Sequence, residues 1–309
     1  MNERSGSVTL RLGGYQGEAS VHTRGLRVLA SAFEERMGTG TTAVTPSVTD
    51  AGRKAADLLT MTESGELDLC YFASSYLAGR VPALGVLDLP FQVSDRAAAF
   101  AKLDGSGGDR LVQAVAESTG YRVVSFWDNG FRHISNAERS IRAPKDCRGL
   151  KLRTLDNALH QEIFRSFGFD PKHIDVKDLP RAVETREVDA QENPLTNLVN
   201  FNLHKTHRHV SLTSHFFGVA LLLVNRAAFD GWSVEIRRAL AESIAAATAA
   251  QREFAISEDT QCLQVLRDDG VEVVPAEEID RDAFRAAAAP IVSREVAKIG
   301  PEGMALWED

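Results

Sequence analysis

Gly149-Leu150-Lys151-Leu152-Arg153 and Val188-Asp189-Ala190-Gln191-Glu192-Asn193-Pro194 are two short apolar segments that each end on a polar side chain, Arg153 and Asn193. Each reads as a buried strand, and ligands of open α/β sheets bind outside the carboxyl ends of such strands. A guanidinium fixed there grips a carboxylate through two parallel charge-assisted hydrogen bonds, and an amide adds a donor or acceptor to the same anion. The pair therefore points to an α/β fold that recognises a small organic acid. Two plainer readings stay open: a salt-bridged arginine at a strand end, and an asparagine in a turn before proline.

Working outward, Val8, Leu10 and Leu12 alternate with Thr9 and Arg11 as a strand that stops at Gly13-Gly14. Leu26, Leu29, Phe33 and Met37 then form one helical stripe behind a possible N-cap, Ser20. A strand near 42–48, a helix near 53–63 and a strand at 67–72 complete βαβαβ punctuation, which predicts a parallel or mixed sheet covered by helices. Two further helical segments lead to a strand at 122–127. Near Asn129 a second α/β unit begins: strand 151–154, helix 157–167, helix 179–187, strand 188–192, and strands at 209–212 and 219–224. This layout predicts two sheets. From 234 to 267 helix breakers are almost absent, and at about 1.5 Å per residue such a helix approaches 50 Å, enough to span two domains. A strand at 271–274 and helix over 280–299 close the chain.

The 309 residues suffice for two ordinary domains, and 44% apolar with 25% charged residues is the composition of a globular protein. A formal net charge of -8, with no basic run, argues against nucleic acid or an anionic membrane surface as partner. It does not oppose an anion held in a cleft, where one or two placed cations set the field. Cys70, Cys147 and Cys262 lack CxxC spacing; Cys70 reads as a small core residue, and any pairing stays open. Met1–Ser7 is short and polar, so the chain either stays in the cytoplasm or has lost a leader. No apolar stretch approaches the ~20 residues of a membrane span.

Arg132, in Trp127-Asp128-Asn129-Gly130-Phe131-Arg132, sits where the first α/β unit gives way to the second. It reads as a second cation on the ligand, a residue orienting Arg153, or a structural ion pair, for example with Asp128. His204, His207, His209 and His215 resemble a metal cluster, yet alternate strand residues face opposite ways and no neighbouring acid or cysteine completes a tetrahedral set. His215 suits a pocket wall better, beside Phe216 and Phe217. Tyr76, Trp127 and Phe216 are among aromatic residues near strand ends that could carry a ligand's apolar body, with core packing the competing role. GxSxG, a Walker lysine loop and HExxH are all missing, and Gly13-Gly14-Tyr15-Gln16-Gly17 lacks GxGxxG spacing. Neither a catalytic residue, nor a cofactor, nor a metal is expected.

The order of Ser20-Val21-His22, Leu87-Asp88-Leu89-Pro90-Phe91, Asn129-Gly130-Phe131-Arg132, Gly149-to-Arg153 and Val188-to-Pro194 resembles the substrate-binding proteins of tripartite ATP-independent periplasmic (TRAP) transporters, DctP type. The resemblance runs from about Val8 to Val273. It implies that Arg153 binds a substrate carboxylate, that Arg132 and Asn193 help hold the anion, and that His22 at the first helix belongs to the site. It also implies a two-domain, periplasmic-binding-protein-like clam-shell with a long helix bridging both domains. Phe169-to-Asp175 departs from the proline-rich connection of many members, Ala190 replaces a usual glycine, and His215-Phe216-Phe217 lies where relatives vary with substrate.

The resulting expectation is a domain of 1–129 plus about 214–255, a second of 130–213 plus about 256–309, and a ligand cleft between them. The function expected is capture of a carboxylate ligand for TRAP permease subunits in the periplasm, without direct membrane insertion. The rivals are a cytoplasmic ligand sensor of the same fold and an enzyme acting on a hydroxy or keto acid. The sequence does not name the acid.

Overall fold

The computed structural model describes Thr9–Trp307; Val8, read as the start of the first strand, lies outside these residues. Along the chain run β1 (Leu10–Gly13), α1 (Val21–Met37), β2 (Thr42–Thr45), α2 (Asp57–Glu63), β3 (Leu69–Ala73), α3 (Arg96–Leu103), α4 (Ser106–Ser118) and β4 (Tyr121–Asn136). There follow β5 (Lys151–Thr154), α5 (Ala158–Ser166), β6 (Asp170–His173), α6 (Leu179–Glu184), β7 (Ala190–Pro194), α7 (Leu195–Asn200) and β8 (His209–Asn225). The last elements are α8 (Arg226–Gly231), α9 (Val234–Asp268), β9 (Glu272–Val274) and α10 (Arg281–Met304).

The chain forms two compact units. The first holds residues up to Ala73, Leu103–Asp128 and Val219–Ile256; the second holds Ser74–Lys102, Asn129–Gly218 and the chain from Ser257 onward. Segment 74–102, read from sequence with the first domain, groups with the second unit. Its Asp88 is buried there against Asn157 and His160, and the Val86 carbonyl accepts the Trp307 indole N–H at 2.9 Å.

In the first unit β1 lies between β2 and β3, parallel to both, and β3 pairs antiparallel with the end of β8, Leu69 opposite Val224. Leu10, Leu12, Leu69 and Leu221–Val224 are buried, and Leu26, Leu29 and Phe33 of α1 supply the helical side of that core. Ser20 caps α1 by accepting the Thr23 N–H at 3.1 Å.

In the second unit β7 runs antiparallel to β4 and parallel to β5, with Arg153 opposite Gln191 and His133 opposite Asn193. Beyond β5 lies β6, an element absent from the sequence reading because Asp170-Pro171 reads as a connection. Proline is tolerated there because β6 ends the strand order and needs no ladder on its outer edge. Phe164, Phe167, Phe169 and Phe284 build one apolar core of this unit, and Leu179, Leu198 and Leu266 belong to another.

The expectation of two sheets is corrected. The pairing order β2-β1-β3-β8-β4-β7-β5-β6 is continuous, because β4 and β8 each contribute residues to both units. The segments 209–212 and 219–224 are one strand. The 35 residues of α9 likewise continue from the first unit into the second.

Candidate functional site

Strands β4, β5 and β7 of the second unit bring Arg132, Arg153 and Asn193 to neighbouring positions. Arg153 is 2% exposed. Its Nε donates to the Ile174 carbonyl at 2.8 Å, and its guanidinium lies against the Tyr76 hydroxyl. Buried Nη2 has no hydrogen-bond partner, and no carboxylate pairs with Arg153 among the described residues. A guanidinium cannot shed its proton at neutral pH, so a desolvated one without a counter-ion is unfavourable until an anion arrives.

Arg132 is placed differently. It pairs with Glu192, Nη2 donating to Oε1 at 2.8 Å and to the Glu192 carbonyl at 2.9 Å while Nε meets Oε2. Of the readings open for Arg132, the ion pair is therefore realised, with Glu192 in place of Asp128. Burial alone would push the Glu192 carboxyl up, but Arg132 and a hydrogen bond from His215 outweigh it and hold that carboxyl far below its usual range. Thr154 adds a donor to Glu192 at 3.1 Å. His215 Nε2 stands 3.4 Å from Glu192, and its Nδ1 is 2.7 Å from the Thr213 hydroxyl. With Thr213 donating to Nδ1 and Nε2–H donating to Glu192, a neutral ring satisfies both contacts, in agreement with burial lowering the His215 pKa.

Asn193 closes the network. Its side-chain oxygen accepts from Arg132 at 3.3 Å and from Asn197 at 3.1 Å, while its Nδ2 donates to Gln191 at 2.6 Å. Gln191 donates to Ser135, which bonds His207 Nδ1 at 3.0 Å. The Tyr76 phenol is partly buried, which raises its pKa against the opposing pull of Arg153 and Arg132. It also faces a cavity of about 940 Å³. Phe216 stacks on His160 at 4.2 Å and belongs to the aromatic core of this unit.

The remaining expected residues, His22 and Trp127, lie in the first unit. Trp127 is fully buried, its indole N–H donating to Thr248 at 3.0 Å, so its position is that of a core side chain. His22 is 1% exposed and packs against Tyr71 at 4.9 Å and Trp127 at 6.5 Å. Neither of its ring nitrogens has a partner among the described residues, and burial lowers its pKa to about 3, so it is a neutral ring with unused hydrogen-bonding capacity.

Glu192 is the participant that the sequence reading passed over. A charged side chain inside the fully buried five-residue strand β7 requires a buried partner of opposite sign, and that requirement is visible in Gln-Glu-Asn-Pro itself. Of the apparent metal cluster, His204 bonds Asp269, while His207 bonds Ser135 and His215 bonds Glu192 at opposite ends of the Arg132–Asn193 network, so the rings do not converge on one point. Cys70, Cys147 and Cys262 are unpaired and buried, Cys70 within β3. Among the described residues no helix is long and apolar enough to cross a membrane.

Residues 12–298 match the family described as bacterial extracellular solute-binding protein, family 7 (DctP). The chain belongs to this family, that of the TRAP solute-binding proteins. It is 32% identical over 249 residues, 81% of its length and 75% of the relative's, to a 2,3-diketo-L-gulonate-binding periplasmic protein of Escherichia coli. It is 27% identical, over 71% of its own length and 66% of the relative's, to a C4-dicarboxylate-binding periplasmic protein of Rhodobacter capsulatus. Among solved structures, a sugar acid binding protein of Advenella mimigardefordensis in complex with galactonate superposes with a TM-score of 0.89 at 26% identity, covering 97% of this chain and 96% of that one. A TRAP periplasmic solute-binding protein of Polaromonas bound to D-erythronate superposes with a TM-score of 0.91 at 26% identity, covering 97% and 98%.

Proposed function

We propose that this TRAP-type protein captures a small organic acid whose carboxylate sits on Arg153, and hands it to membrane permease subunits from the periplasmic side. The observation that carries this reading is the buried Arg153 guanidinium, whose Nη2 lacks a partner among the described residues. A carboxylate oxygen would satisfy that nitrogen and neutralise the charge in one step. Asn193 and the Arg132–Glu192 pair would hold the anion's surroundings, and Tyr76 would meet polar groups of its body. His215 and Phe216 would shape the site from behind, and Trp127 would support the His22 ring. The relatives' ligands, 2,3-diketo-L-gulonate, galactonate and D-erythronate, are hydroxy or keto acids, which favours the same class here.

A thermal-shift screen over hydroxy, keto, uronic and dicarboxylic acids tests the reading. An acid at one hundred times its dissociation constant should add about 2.7 kcal/mol of stability. For the best acid, Arg153→Ala should weaken binding by about 3–5 kcal/mol, a few hundred- to a few thousand-fold, because the bound carboxylate loses its counter-charge in a dry site. Arg153→Lys should recover only part, since an ammonium lacks the planar fork. Calorimetry showing unchanged affinity in Arg153→Ala would remove Arg153 as the anchor.

A further inference from the structure

Resting on the reading of Arg153 as the carboxylate anchor, the geometry points to Asp88 as a positioning residue of the site: through Ser75 it holds the Tyr76 phenol against the Arg153 guanidinium and so fixes how the anchor is presented. All four residues lie in the second unit. Tyr76 closes a single turn, Ser74–Tyr76, that is too short to hold itself, so contacts from outside the turn must fix it.

Those contacts converge on Asp88, which is buried and lines the same cavity as Tyr76. Ser75 Oγ donates to Oδ1 of Asp88, Asn157 Nδ2 donates to Oδ2 at 2.8 Å, and His160 Nε2 stands 3.1 Å from Oδ1. A carboxylate only accepts, so the His160 proton sits on Nε2 and all three neighbours act as donors. The second hydrogen of the Asn157 amide reaches the Ser75 carbonyl at 2.9 Å, and the amide oxygen caps α5 by accepting the His160 N–H at 3.0 Å. Ser75 is therefore held at both its hydroxyl and its carbonyl. Asn157 follows closely on Arg153 at the end of β5, so the clamp ties the turn that bears Tyr76 to the stretch of chain that bears the anchor. A guanidinium has donors alone and meets the Tyr76 oxygen as an acceptor. With Nε already bonded to the Ile174 carbonyl, the phenol is a second fixed point that leaves the planar fork little room to turn. An anchor oriented in advance binds its anion without first losing that freedom. A clamp that served the fold alone would make affinity independent of the link between Asp88 and the Tyr76 hydroxyl.

The test is a double-mutant cycle on affinity, read by titration calorimetry with galactonate, D-erythronate and 2,3-diketo-L-gulonate, followed by the other acids of the screen if none of these binds. Asp88→Ala and Tyr76→Phe should each weaken the best-bound acid by about tenfold, and the double variant should be no more than about twofold weaker than Tyr76→Phe alone, because Asp88 acts through that hydroxyl. Losses that multiply to about a hundredfold overturn the proposal, as does wild-type affinity in Asp88→Ala. Ser75→Ala cuts the link while leaving the contacts of Asp88 with Asn157 and His160; it should show the same dependence on Tyr76, and it decides the matter if Asp88→Ala does not fold. Arg153→Ala, measured alongside, separates this inference from the reading on which it rests. If Arg153→Ala loses binding while the Asp88 and Tyr76 losses multiply, only the role given to Asp88 falls. If Arg153→Ala binds as wild type, or if no carboxylate binds the wild-type protein, the anchor reading and this inference fall together.

Discussion

At the scale of single residues, Arg153 and Glu192 carry opposite lessons. Arg153 is a buried charge with an unused donor, which makes the ligand-free protein less stable than its packing permits. Replacement by methionine, of similar length, removes that charge at the cost of the hydrogen bond to the Ile174 carbonyl and the contact with the Tyr76 hydroxyl. Ligand-free Arg153→Met is therefore expected to be more stable by about 1–2 kcal/mol in urea denaturation, while losing acid binding. A loss of more than about 1 kcal/mol would show that Arg153 is a structural residue and not one held ready for an anion. Arg153 was legible in the sequence because a charge at the end of an apolar strand stands out against its neighbours. For Glu192 the sequence shows only that an acid inside an apolar strand needs a buried partner; the identity of that partner, sixty positions away, leaves no local signature. Trp127 was legible as an aromatic residue at a strand end, but only the bond to Thr248 of α9 shows it to be locked into a core.

At the scale of elements, the strands' extents were least visible. Asn129-Gly130-Phe131 and Ser214-His215-Phe216-Phe217-Gly218 interrupt simple alternation, so β4 and β8 read as shorter strands ending there. Gly130 and Ser214 instead adopt φ of 81° and 46° inside continuous strands. At Gly130 an added Cβ would lie 3.2 Å from Pro194, so glycine is needed both for the backbone and for the space. Helix α9 was legible from composition alone, but its side-chain contribution to β4 was not. Gln251 of α9 lies against Asp128 within the first unit, its Oε1 accepting the Asp128 N–H at 2.9 Å and its Nε2 donating to the Asp128 carbonyl at 2.7 Å. The amide thus acts as a strand neighbour for one residue, and α1 approaches closely at Gly25, where a Cβ would touch Gln251 at 3.0 Å. Gln251→Leu leaves both backbone groups short of a partner and should cost about 2–4 kcal/mol. The expected result is a lower urea midpoint with an unchanged slope; a change below about 0.5 kcal/mol would mean that the two contacts contribute nothing net.

At the scale of the whole molecule, buried neutral histidines couple folding to pH. Burial lowers His22, His133 and His207 from 6.5 to about 3. For His133 the geometry agrees, because its Nδ1 accepts the Ser214 N–H at 3.2 Å. Above about pH 6.5 these rings are neutral in the folded and unfolded chain alike and leave stability independent of pH. Between about 6.5 and 3 the unfolded chain binds protons that the folded one refuses, so stability falls as pH falls, by up to about 1.4 kcal/mol per unit for each ring. From pH 7.5 to pH 5 the loss is about 2 kcal/mol per histidine and about 6 kcal/mol together, a large share of the ~5–15 kcal/mol that holds a domain folded. Glu192 works in a lower window: its depressed carboxyl stabilises the fold above about pH 4.5 and loses that effect only as pH drops through its folded value, so it does not offset the histidines between pH 7.5 and 5. His22→Phe should keep the tilted ring contact with Tyr71, flatten the pH slope by at most about one third, since His215 is lowered in the same direction, and raise stability at pH 5 by about 2 kcal/mol. Urea midpoints measured without ligand at pH 7.5, 6.5, 5.5 and 5.0 give both slopes directly. A flat wild-type profile across that range would mean that the three rings are protonated in the folded protein, and a His22→Phe profile parallel to wild type would remove His22 from the set.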